Sequence, residues 1–150
     1  MKKESMTTDK NRLLKDLAIG EISAIEVYDR VLEKINDAPD ADRLKEFRLD
    51  HNKAKNFWQD QERIENQSST QGSNIWGKVA QTFIETSKLF GNRATLMALK
   101  EAEEYGLKQY QKALSDQMIS SYQKDQIRNE FIPNQMRHVN TINALIRKNR

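Results

Sequence analysis

Two carboxylates stand where apolar side chains are expected, and they are the residues of this chain best placed to do chemistry. Glu21 and Tyr28 form a Glu-x6-Tyr pair, and Glu103 and Tyr110 repeat it. Their neighbours repeat with them: Leu14, Leu17, Glu21, Ala24, Tyr28 and Val31 match Leu96, Leu99, Glu103, Gly106, Tyr110 and Ala113 at one constant offset. A carboxylate facing inward is costly unless a cation, a set of hydrogen bonds or a metal neutralises it. The only two histidines, His51 and His138, fall at equivalent places in a second repeat, in which Leu49, His51, Phe57 and Trp58 match Met136, His138, Ala144 and Leu145. Carboxylate oxygen together with imidazole nitrogen suits iron, manganese or zinc. The tyrosine hydroxyls, two turns from the carboxylates, are placed to hydrogen-bond to them or to a bridging water.

These residues must be positioned by helices. Apolar residues spaced alternately three and four apart predict a first helix capped at Thr7, Thr8 or Asp9 and running to about Ile35. Residues 1–8 read as a short tail, and Asn36 to Asp40 as a turn with Pro39 as breaker. A second helix is expected from about Asp42 to Glu65, with Leu44, Phe47 or Arg48, His51, Ala54 and Trp58 inward. Residues 66–91 read as a crossover, a polar loop from Gln67 to Asn74 followed by a short amphipathic helix to Phe90 that Gly91-Asn92 stops. The third long helix is expected from about Arg93 to Leu114 and the fourth from about Gln117 to Arg147. Pro133 should kink or bulge that last helix one turn before His138. The expectation is a single all-α domain over 1–150, two helical hairpins forming a four-helix bundle with an extra short helix in the crossover.

Composition sets the outer limits. The 150 residues include 5 Gly, 2 Pro and no Cys, which favours long helices and excludes disulfides, thiol catalysis and Cys-type metal sites. A net charge of +3, dispersed along the chain, does not indicate nucleic acid. The basic start lacks the apolar stretch of a secretory signal, and no window reaches the roughly 18 apolar residues of a membrane span. A cytoplasmic protein with no membrane partner is expected. Trp76, Phe83 and Phe90 of the crossover, or the helix faces, could join copies into a homo-oligomer. No nucleophile–base pair or glycine-rich phosphate loop is present.

The paired Glu-x6-Tyr pattern, the order of the hairpins and the helical crossover resemble the ferritin superfamily. The chain more closely resembles an uncharacterised bacterial ferritin-like four-helix-bundle family, a domain of unknown function. The resembling stretches are Gly20-Glu21 to Leu32, Ile75-Trp76-Gly77 to Phe90-Gly91, Glu101 to Leu114, and His138 to Leu145. They cover roughly residues 10–147. The resemblance implies ferritin-like connectivity and an interior site. Di-iron members carry Glu-x-x-His on each second helix, whereas Arg48 and Gln135 stand three residues before His51 and His138 here. Each departure removes a ligand, and Arg48 adds a fixed positive charge.

Two functions compete at this point. One is a degenerate, non-catalytic bundle with a structural or stress-related role, in which Arg48 bridges Glu21 and Glu103 in a buried network with Gln135, Tyr28 and Tyr110. The other is a protein or oxidase binding iron or manganese through Glu21, His51, Glu103 and His138. Asp50, Glu26 and Glu104 are assigned to solvated or flanking faces, from which any could replace a missing ligand if its helix is rotated.

Overall fold

The computed structural model describes residues 2–66 and 91–149. These residues form helices joined by short turns and contain no strand. The chain runs α1 (Lys2–Leu32), α2 (Ala38–Asn66), α3 (Gly91–Leu114), α4 (Ser121–Gln126), a π-helical turn (Ile127–Phe131) and α5 (Ile132–Lys148). Because α4, the π turn and α5 follow one another without a break, they act as a fourth long rod. The loop and short helix expected between α2 and α3 lie outside the described residues.

Several boundaries differ from expectation for local reasons. Helix α1 begins at Lys2 instead of at a cap near Thr7, since no Gly or Pro interrupts its first turns. Pro39 does not break a helix. It sits in the first turn of α2, where a missing N–H is harmless, and Asp37 caps that turn by accepting the Asp40 N–H at 3.0 Å. The fourth rod starts at a capping box in which the Ser120 hydroxyl accepts the Gln123 N–H and the Gln123 side chain accepts the Ser120 N–H. The anticipated irregularity near Pro133 takes the form of the π turn just before it. There the Ile132 N–H reaches back to the Ile127 carbonyl, while Pro133 occupies the first turn of α5.

Cross-helix pairs fix the directions. Lys10 meets Glu65 at 3.1 Å and Asp29 meets Arg48 at 2.6 Å, so α1 and α2 are an antiparallel hairpin. Tyr28 meets Glu103 and Tyr110 meets Glu21, so α1 also runs antiparallel to α3. Phe57 stacks edge-on against Phe131 while Phe47 stacks on His138, making α2 and α5 antiparallel too.

The core has two apolar lobes. One gathers Val27, Val31, Leu44, Leu99 and Ile142, and the other Leu14, Ala54, Trp58, Ile127 and Phe131. Between the lobes, at mid-height, lie the buried polar side chains of Glu21, His51, Glu103, Gln135 and His138. Packing on both sides places these groups in a low-dielectric layer where every unmet hydrogen bond is expensive.

Candidate functional site

His51 is the centre of the site. Its Nδ1 lies 2.6 Å from Glu21 Oε2 and its Nε2 lies 2.7 Å from Glu103 Oε1. One imidazole therefore spans the carboxylates of α1 and α3, and all three side chains are buried. Burial opposes charge on His51, but the facing carboxylates of Glu103 and Glu21 outweigh it and hold the ring well above its ordinary pKa. With a carboxylate oxygen against each ring nitrogen, the arrangement favours an imidazole protonated at both. Burial likewise opposes the charge of Glu103, yet His51 and His138 overcome it and keep that carboxyl well below the usual carboxylate range.

The tyrosines complete the carboxylates crosswise. Tyr28 donates to Glu103 Oε1 at 2.5 Å, and Tyr110 donates to Glu21 Oε1. Each hydroxyl thus serves the carboxylate of the opposite hairpin. Seven residues along a helix rise about 10 Å, too far for a tyrosine to reach the Glu of its own helix. The antiparallel pairing of α1 with α3 brings the other one alongside. Burial and the neighbouring carboxylates push both phenols well above their ordinary pKa. Trp58 extends the chain by donating its indole N–H to the Tyr110 oxygen at 3.0 Å.

His138 connects this interior to the surface. Its Nδ1 is 3.2 Å from Glu103 Oε2 and its Nε2 is 2.8 Å from Asp50 Oδ2. Phe47 stacks on its ring with centroids 4.2 Å apart. Arg137 donates to the same Asp50 oxygen at 2.5 Å from the exposed side. Although partial burial opposes its charge, His138 and Arg137 keep the Asp50 carboxyl below its ordinary range.

The four residues singled out by the repeats, Glu21, His51, Glu103 and His138, do come together. Arg48 does not join them. Its side chain is 35% exposed and paired with Asp29, so it bridges no buried carboxylates. Phe47, His51, Ala54 and Trp58 define the inward face of α2, and the next position round the helix lies on its flank, where a guanidinium keeps its hydration. Gln135 is buried and donates its amide to the backbone oxygen of Glu103 at 3.0 Å. It fits because Gly106 has no side chain: a Cβ there would lie 2.5 Å from Gln135 Nε2. Asp50, expected on a flanking face, joins the site through His138, and Trp58, Gly106 and Arg137 belong to it without being singled out by the sequence. Asp50 and Arg137 are equivalent in the second repeat, one acidic and one basic beside each histidine, and that was the available signal.

The donor set can be tested against a metal. Ligand atoms of His51, Glu103 and His138 lie within 4.8 Å of one another, a set that fits one iron or manganese ion. The two positions that carry Glu in Glu-x-x-His are held here by Arg48, which faces Asp29, and by Gln135, whose amide donates to a backbone oxygen, so neither supplies a ligand. No helix among the described residues is long and apolar enough to cross a membrane. Compared with known proteins, the chain matches no family model, no curated protein and no solved structure.

Proposed function

We propose that this chain is a non-catalytic, ferritin-like four-helix bundle with a structural or stress-related role, whose interior acid–base network locks its two hairpins together. The carrying observation is His51 bound at both ring nitrogens to Glu21 and Glu103, with each carboxylate also accepting a tyrosine from the opposite hairpin. An imidazole protonated at both nitrogens offers no lone pair to a metal. Ferritin-like connectivity is supported by the antiparallel pairing of α1 with α3 and of α2 with α5. Elemental analysis of the purified protein, with melting curves in chelator and in added ferrous or manganous ion, tests the reading. Substoichiometric metal and an unchanged melting temperature are expected. One or more iron or manganese ions per chain would refute it.

A second reading is a site for a single iron or manganese ion, which when bound would supply oxygen or peroxide redox chemistry. It is favoured by one observation. The nitrogens His51 Nε2 and His138 Nδ1 converge on Glu103, while Glu21 and Asp50 hold the opposite nitrogens, and carboxylates in that position orient metal-bound imidazoles. Here His51, Glu103 and His138 would hold the ion, and His51 would release a proton as it bound. A metal-dependent rise in melting temperature supports this version, since a ligand confined to the native state stabilises it by mass action.

A further inference from the structure

A small hollow at the edge of the network is used by neither reading. It has a volume of about 10 Å3 and touches Glu21, Asp50, His51, Tyr110, Asn134 and His138. That is close to the room needed by one water molecule. Ala54 contributes only a methyl group to its wall, and the π turn ends against it at Phe131.

The lining retains hydrogen-bonding capacity. Asn134 is half-buried, and its amide makes no hydrogen bond with any described residue. Both contacts of Asp50 fall on Oδ2, which leaves Oδ1 as an acceptor. Each Glu21 oxygen takes one hydrogen bond and a carboxylate oxygen can take a second. The combination selects for ligand class. The acceptor oxygens of Glu21 and Asp50 call for a donor and the Asn134 amide N–H for an acceptor, and the volume limits the occupant to the size of a water molecule.

We infer that this hollow is a binding site for one neutral, water-sized hydrogen-bonding molecule, water itself in the resting protein, held by the Asn134 amide and the acceptor oxygens of Glu21 and Asp50. Asn134 and Asp50 are the half-buried members of the lining and the others named are buried, so solvent enters between these two side chains. The site is the route by which water reaches Tyr110 and, through it, the indole N–H of Trp58. This inference does not rest on the locking role proposed above.

The test is a high-resolution crystal structure of the full chain, together with NMR exchange of the Trp58 indole proton, in the natural protein and in Asn134→Leu. Expected are an ordered water bonded to the Asn134 amide, its loss in the variant, and indole exchange slowed roughly tenfold at unchanged melting temperature. A dry hollow in the natural protein, or exchange unchanged in Asn134→Leu, overturns the inference. Should that variant fail to fold, Ala54→Val fills the same space. Slower exchange in Ala54→Val supports the site and an unchanged rate overturns it. Metal content and metal-dependent melting play no part in these readouts, so the two proposals fail separately.

Discussion

Replacing His51 with leucine removes the one cation between Glu21 and Glu103 while keeping an apolar side chain of similar bulk. Each carboxylate retains its tyrosine, at 2.5 Å in the case of Glu103, but both lose the short contacts of 2.6 and 2.7 Å to the imidazolium. Breaking a buried ionic set by deleting one partner costs about 3–5 kcal/mol, because the stranded charge keeps its desolvation penalty. For a chain of this size that lowers the melting temperature by roughly 6–20 °C. The assay is urea unfolding followed by far-UV circular dichroism at neutral pH with chelator present. Adding Glu21→Gln and Glu103→Gln to His51→Leu removes both stranded charges and leaves amide oxygens for the tyrosines, so about 2 kcal/mol or more should return. If His51→Leu alone costs less than about 1 kcal/mol, or if the triple variant is less stable than the single one, charge pairing at His51 is not what holds this interior together.

Stability should depend on pH at both extremes. The folded pKa of His51 is raised, so its contribution is complete below the unfolded value near 6.5 and declines as pH rises through the folded one. The raised phenols of Tyr28 and Tyr110 add to this loss above about pH 10. Glu103 is lowered, so its share is present above the ordinary carboxylate range and lost only in strong acid. Equilibrium unfolding across pH should therefore show a plateau with a steep alkaline fall, and a maximum in the alkaline range would contradict these assignments. Gly106→Ala alone should destabilise modestly by displacing Gln135, but in a Gln135→Ala background it should stabilise by about 0.5–1 kcal/mol through helix propensity. A double-mutant cycle by urea unfolding reads the change of sign, and identical effects in both backgrounds would count against the contact. Arg48→Ala should cost no more than about 1 kcal/mol, as for other exposed pairs; a loss of 3 kcal/mol or more in the same assay would return Arg48 to the interior.

The sequence carried the site's centre because the internal repeats place Glu21 with Glu103 and His51 with His138, and helical periodicity turns those positions inward. It was ambiguous where periodicity allows two neighbours. Phe47 and Arg48 both satisfy the spacing to His51, and the choice is made by the desolvation of a guanidinium, which a pattern of apolar residues does not register. Asp50 reads as a flanking residue for the opposite reason. It sits on the rim of α2, and only the approach of α5 brings His138 within 2.8 Å of it. Repeat equivalence also overreached: Leu49 and Met136 align, yet both are about half exposed, at 56% and 49%. Two helix starts are misplaced in the sequence reading, with Pro39 read as a breaker and the fourth helix begun at Gln117, although Asp-x-Pro and Ser-x-x-Gln are local signals for a helix start.

The crosswise tyrosines give the network a consequence that a list of contacts does not convey. Neither hairpin completes its own carboxylate: His51 reaches Glu21 and His138 reaches Glu103 within a hairpin, but Glu21 takes its tyrosine from α3, and Glu103 takes its tyrosine from α1 and His51 from α2. A single hairpin would leave these acceptors to water, so the polar groups favour assembly of the pair over either half. Because α1 and α3 are antiparallel, sliding one past the other by a helical turn of about 5.4 Å breaks Tyr28–Glu103 and Tyr110–Glu21 together. An apolar layer at this height would tolerate such a slip, since leucines interdigitate nearly as well one turn along. Buried ionic groups are often replaceable by apolar ones without loss of stability, so the network is better understood as setting register than as supplying net free energy. On that account an all-apolar replacement of Glu21, Tyr28, His51, Glu103, Tyr110 and His138 would melt no lower than the natural protein but populate more than one pairing of the hairpins. Doubled amide resonances in an NMR spectrum of such a variant would reveal those pairings, whereas a single sharp set would show that packing alone fixes the register.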